Sequence, residues 1–132
     1  MEASYNQNKR KKVECFEDLF VWQKAIEFAK EIYLVTERNG LKTDFGLKGQ
    51  MRDASVSIST NIAEGFERRS RKEYLNFLNF AKASAGETRS LLYVAFEVGY
   101  LNRDELEDLR EKARFLGGSI GNHMKSISSS EI

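Results

Sequence analysis

Apolar residues recur along this chain at helical spacing in four blocks, separated by short polar stretches. Over residues 16–38, Leu19, Trp22, Ile26, Ala29 and Tyr33 fall on one line at about 100° per residue. Val21, Ala25, Phe28, Ile32 and Val35 fall on a second line beside it. The two cover about half the circumference, wider than the roughly 100° stripe of an ordinary surface helix. Asn39-Gly40 supplies a left-handed stop. Thr43 or Asp44 caps a second helix over 45–68, on which Leu47, Met51, Ile58 and Ile62 share a face. Within it, ASVSIST (54–60) alternates as a half-buried strand would. A block this long without a turn signal is still predicted as helix, because tertiary burial overrides local β propensity.

Ser70 with Glu73 makes a capping box that opens a third helix over 71–98, ending at Gly99-Tyr100. Tyr74, Phe77, Leu78, Ala81, Ala85, Thr88, Leu92, Ala95 and Phe96 form one broad stripe, and Phe80, Ala83, Leu91, Val94 and Val98 a second. Only a narrow strip near Asn79, Lys82 and Arg89 is left for water. Asn102 with Glu105 opens a one-sided fourth helix over 103–125, with Leu106, Leu109, Ala113, Leu116, Ile120, Met124 and Ile127 inward. Gly117, Gly118 and Gly121 weaken its second half by about 1 kcal/mol each relative to alanine, so fraying is expected there. Residues 1–15 lack periodicity and read as a flexible basic arm, and 128–132 as a loose tail.

Four helices with short connections predict an all-α, antiparallel up-down-up-down bundle. The first and third helices carry more apolar surface than one bundle core absorbs. An uncovered apolar face on a helix of this kind marks an interface, so a homo-oligomer is expected.

Composition narrows the classes without naming an activity. A chain of 132 residues is one domain by length, and 41% hydrophobic content is enough for a core. The absence of proline suits long uninterrupted helices. With a net charge of +1, nucleic-acid binding must rest on local clusters rather than overall charge. The one cysteine, Cys15, excludes an internal disulfide framework and fits a reducing, cytoplasmic setting. No apolar run approaches the ~20 residues needed to cross a bilayer, and no secretory signal pattern opens the chain.

Three segments carry a family likeness: FEDLFVWQKAIEFAKEIY (16–33), FGLKGQMRDASVSISTNIAEGFER (45–68) and EYLNFLNFAKASAGE (73–87), followed by GYL (99–101). Over residues 16–101 the chain resembles the four-helix-bundle proteins encoded by intervening sequences in bacterial 23S ribosomal RNA genes. The block from Gln50 to Gly65, with its Asn-Ile-Ala-Glu-Gly ending, is the most specific part. The resemblance implies a bundle assembling into a ring-like homo-oligomer, a pentamer in the typical case; a generally established enzymatic activity is not part of what it implies, and no enzyme site and no cofactor are expected. Related accessory proteins of diversity-generating retroelements imply nucleic acid, RNA or DNA, and a reverse transcriptase as partners. Two departures are local: Asn39-Gly40 stands where family members commonly have a proline, and Ala83-Ser84 where glycine often precedes the serine.

Two constellations merit weighing. Gln50, Ser57, Asn61, Glu64 and Arg68 fall within about 60° of one another on the second helix. They form either a binding row or a polar stripe where helices approach closely, with Asn61 and Glu64 fixing register as buried polar groups do. The serines at 55, 57 and 59 suit tight packing, their hydroxyls bonding back to the preceding turn. The second constellation is basic: Arg68, Arg69, Arg71 and Lys72 at the junction of helices two and three, with Lys9, Arg10, Lys11 and Lys12 on the arm. It reads as a nucleic-acid contact, repeated around a ring, or as solvated surface. Glu67 and Glu73 flank the junction. A single histidine, His123, leaves the usual zinc sites without ligands, and no carboxylate–histidine pattern of a di-metal bundle occurs. The acidic run from Asp104 to Glu111 is explained by the helix dipole.

Overall fold

The computed structural model describes residues 12–38 and 40–129. Four helices form it: α1 (Phe20–Val35), α2 (Phe45–Glu67), α3 (Arg71–Glu97) and α4 (Arg103–Ser129), with no strand among the described residues. Residues 54–60 lie inside α2, so helical spacing prevails over local β propensity. Ser55 and Ser59 donate back to the carbonyls of Arg52 and Val56 at 3.1 and 3.2 Å.

Successive helices run antiparallel, and α4 closes back onto α1. The pairings show this directly: Thr36 meets Arg52 while Trp22 lies by Ala63, and Gly65 meets Phe77 while Ser57 meets Ser84. Likewise Tyr74 meets His123 and Tyr93 meets Arg110, and Phe20 meets Phe115 while Arg38 pairs with Glu105. The diagonal pairs, α1–α3 and α2–α4, do not approach. One core fills the centre, with Ile32, Met51, Ile58, Ile62, Leu78, Leu92, Leu106, Leu116 and Ile120 fully buried. Of the two apolar lines on α1, the one containing Val21, Ala25, Phe28, Ile32 and Val35 faces this core.

The first helix is shorter than the expected 16–38. A 3₁₀ turn, Phe16–Asp18, precedes it, and Leu19 is extended between the two (φ −77°, ψ 129°). The Asp18 carboxylate holds that turn by accepting from the backbone N–H of Glu14 and Cys15 at 3.0 and 3.3 Å. At the other end α1 stops at Val35, before Gly40. Thr36 donates its hydroxyl to the Ile32 carbonyl at 2.8 Å, and Arg52 of α2 reaches the Tyr33 carbonyl at 3.3 Å, satisfying acceptors left at the helix end. Gly40 does adopt left-handed backbone (φ 65°), but in the connecting turn. The Tyr100 ring lies so close there that a β-carbon would sit 2.2 Å from it, and the Tyr100 hydroxyl donates to Asp44 at 3.0 Å. Asp44 also caps α2 by accepting from Leu47 N–H at 3.1 Å.

The last helix corrects a second expectation. Instead of fraying, α4 continues to Ser129, past the expected 125. Met124 and Ile127 pack against the core, and His123 is bonded to the Tyr74 hydroxyl at 2.7 Å, so tertiary contacts outweigh the glycines. Gly99 (φ 91°) ends α3 with Tyr100 N–H donating to Ala95 O at 2.8 Å, the 6→1 bond of a left-handed helix stop. Asn102 and Glu105 then exchange backbone–side-chain bonds of 2.9 and 2.8 Å at the start of α4.

Candidate nucleic-acid interface

The basic junction occupies the turn between α2 and α3. Arg69 takes left-handed backbone (φ 58°), a conformation in which any residue but glycine is strained, and so reverses the chain within two residues. Ser70 then caps α3, accepting from Glu73 N–H at 3.2 Å. The four cations of the junction are not equivalent. Arg68 bonds Glu64 at 3.2 Å and Glu73 at 3.3 Å, and its guanidinium lies 4.9 Å from the centre of the Phe77 ring. The Glu64 bond, first, and then Glu73 hold its proton more firmly than usual. Arg68 is thus a tie across the turn. Arg69, Arg71 and Lys72 are exposed. Lys12 is exposed as well, whereas Lys9, Arg10 and Lys11 lie outside the described residues.

The polar stripe on α2 divides into three parts. Ser57 and Asn61 face α3: the hydroxyls of Ser57 and Ser84 are 2.9 Å apart, and Asn61 donates to both the carbonyl and the hydroxyl of Ser57 at 2.9 Å. Gln50 points to solvent. Glu64 is exposed too, so it is no buried register residue; it belongs to the junction through Arg68. One turn further along, Gly65 brings α2 hard against α3, since a β-carbon there would lie 2.5 Å from that of Phe77. Ser84, the partner of Ser57, had no signal in the sequence beyond being a small residue on a neighbouring helix.

The remaining reactive side chains are committed to structure. His123 stacks edge-on against Tyr74, which stacks on Phe66; burial lowers the imidazole pKa and raises that of the phenol. Glu17, then burial and Asp18, push the Cys15 thiol up, away from the reactive thiolate. Among the described residues, no three His, Cys, Asp or Glu side chains converge as a metal site requires. None of the described helices is long and apolar enough to cross a membrane.

The fold and its surface thus define an all-α protein of four long helices, with its histidine and its cysteine held in structural contacts. The chain belongs to the 23S rRNA-intervening sequence protein family, whose model matches residues 17–122. It is also similar to a protein of unknown function from the S23 ribosomal protein family of Bacteroides thetaiotaomicron, known by crystal structure. That likeness has a TM-score of 0.73 at 26% identity, over 80% of this chain and 98% of the other. No curated protein matches the chain. The family and its solved member point to no enzymatic class.

Proposed function

We propose that the protein is a non-enzymatic, self-assembling scaffold that presents basic side chains to nucleic acid. The observation that carries the assembly is apolar surface the bundle leaves uncovered. Ile26 and Tyr33 of α1 are 42% and 43% exposed, and Phe80 and Val98 of α3 are 54% and 56% exposed. On α1, Trp22 and Ile26 open with Thr60 and Ala63 of α2 onto a groove of about 440 Å³. On α3, Phe80, Val94 and Val98 follow the edge that Ser84 occupies. Two different patches on one chain make a head-to-tail contact, which closes into a ring where the rotation allows; five copies is what the family resemblance implies.

Light scattering tests this. Ile26→Glu combined with Val98→Glu converts the assembly to single chains of 15.2 kDa with helical circular dichroism retained. Unmodified protein that already runs as one chain at micromolar concentration overturns the proposal.

Contact with nucleic acid is supported by Arg69, an exposed cation kept where glycine would relieve the backbone. Beside Arg71 and Lys72 it offers a phosphate contact repeated in every copy. Reversing Arg69 and Lys72 to glutamate is expected to weaken salt-dependent retention on RNA and to lower its salt slope. Retention unaltered by that change removes the junction from the interface.

A further inference from the structure

We infer that the seam between α3 and α4 is a separate nucleic-acid track, gripping a phosphate backbone between Lys82 and Arg89 of α3 and Arg114 of α4. The inference rests on the nucleic-acid reading above but moves the grip away from the α2–α3 junction. A groove of about 450 Å³ runs between these three side chains. Lys82 and Arg89 are exposed, and neither has an ion-pair partner among the described residues. Arg114 shares its charge with Glu111 at 3.0 Å. Two helical turns separate Lys82 from Arg89, about 10 Å of rise, which sets two cations in line along the groove. The cations continue past the groove in both directions. Lys125 joins Lys82 around the next hollow, and Arg110, hydrogen-bonded to Tyr93 at 3.4 Å, has its buried Nε without a hydrogen-bond partner.

The depth of the groove comes from residues that packing does not explain. Gly86 of α3 and Gly118 of α4 line it, and a β-carbon on either would meet nothing within 4 Å. At Gly117 the nearest atom would be 3.8 Å away, an ordinary contact. None of the three has left-handed backbone. Glycine is a poor helix former, so alanine would fit and strengthen both helices. Gly65, by contrast, is fixed by Phe77 at 2.5 Å. Gly49 of α2 is equally free, but no cation groove includes it. What glycine provides at 86, 117 and 118 is a floor low enough for a backbone phosphate to settle between the cations. An acidic helix from a protein partner fits less well, because helix-in-groove docking needs large apolar anchors and the only apolar side chains lining this groove are alanines.

Binding of a fluorescently labelled RNA hairpin, measured across salt concentrations on the assembled full-length protein, tests the track. Lys82→Gln and Arg89→Gln are each expected to lower the slope of log K against log salt by about 1. Gly86→Ala with Gly118→Leu, which leaves every charge in place, is expected to weaken binding while raising Tm, a pairing that a purely structural role does not produce. Unchanged slopes and affinities in these variants, with binding weakened in the Arg69 and Lys72 variants, overturn the track and leave the nucleic-acid reading standing. No binding by the unmodified protein at low salt overturns both. If the Lys82 and Arg89 variants instead dissociate the assembly without changing RNA affinity, the seam is a protein contact and the inference fails.

Discussion

The α2–α3 seam and the α1–α4 seam lie on opposite sides of the bundle and are closed by different forces. Between α2 and α3, small residues at Gly65, Ser57 and Ser84 let the backbones approach until side-chain hydroxyls bond directly. Between α1 and α4 the facing residues are large. Phe20 meets Phe115 edge-on at 6.4 Å between ring centres, and clefts of about 360 and 430 Å³ stay open along the seam. Ion pairs span those clefts: Lys112 bonds Glu31 at 2.7 Å, and Arg38 pairs with Glu105. Close packing thus dominates the α2–α3 seam, whereas the α1–α4 seam adds ion pairs across open clefts. Packing is indifferent to salt, whereas exposed ion pairs are screened by it.

The largest test of the contrast is Leu78→Ala, at a fully buried position of α3. It is expected to cost about 2–5 kcal/mol in urea unfolding, in any salt. Gly65→Ala comes next, at about 1–3 kcal/mol, since the added methyl must displace Phe77 or part the helices. Phe77→Ala in the same chain should recover part of that loss, because the two positions share one space. A double-mutant cycle on Ser57→Ala and Ser84→Ala should then give a coupling of about 1 kcal/mol; a value near zero would mean that the seam needs only their small size.

Two smaller effects separate the seams by condition. Burial depresses the His123 pKa in the folded protein below its ordinary value near 6.5. The unfolded chain therefore takes up the proton first as pH falls, so this contribution is full above that value and is lost as pH drops through it toward the folded pKa. Tm should decline from pH 7 to pH 5, and His123→Gln should flatten the decline. Lys112→Met is expected to have the smallest effect, a slight loss at low salt that vanishes in molar salt.

Much of this architecture was legible along the chain. Asn102 and Glu105 announced the start of α4, and the 3.6-residue spacing correctly overruled the alternation at 54–60. The errors sit where a distant partner decides. Nothing near Val35 marks the end of α1, because the group that caps its carbonyls, Arg52, belongs to another helix. Gly40 was read as a helix stop when its reason is the ring of Tyr100. Gly117, Gly118 and Gly121 promised fraying because the tie between His123 and Tyr74 spans 49 positions. The site was harder still. Arg68 and Arg69 are adjacent in sequence, yet one is bound by two carboxylates and the other is strained and exposed. Lys82, Arg89 and Arg114 read as ordinary solvated positions until the fold sets two helices side by side.

The bond from Tyr100 to Asp44 also fastens one end of the molecule. Two of the three turns are stitched together there, while the third, Arg68–Ser70, shares the opposite end with the first residues of α1 and the last of α4. That opposite end is held helix to helix instead, through Arg68 with Glu73 and Tyr74 with His123, so the two ends of the bundle are closed by different means.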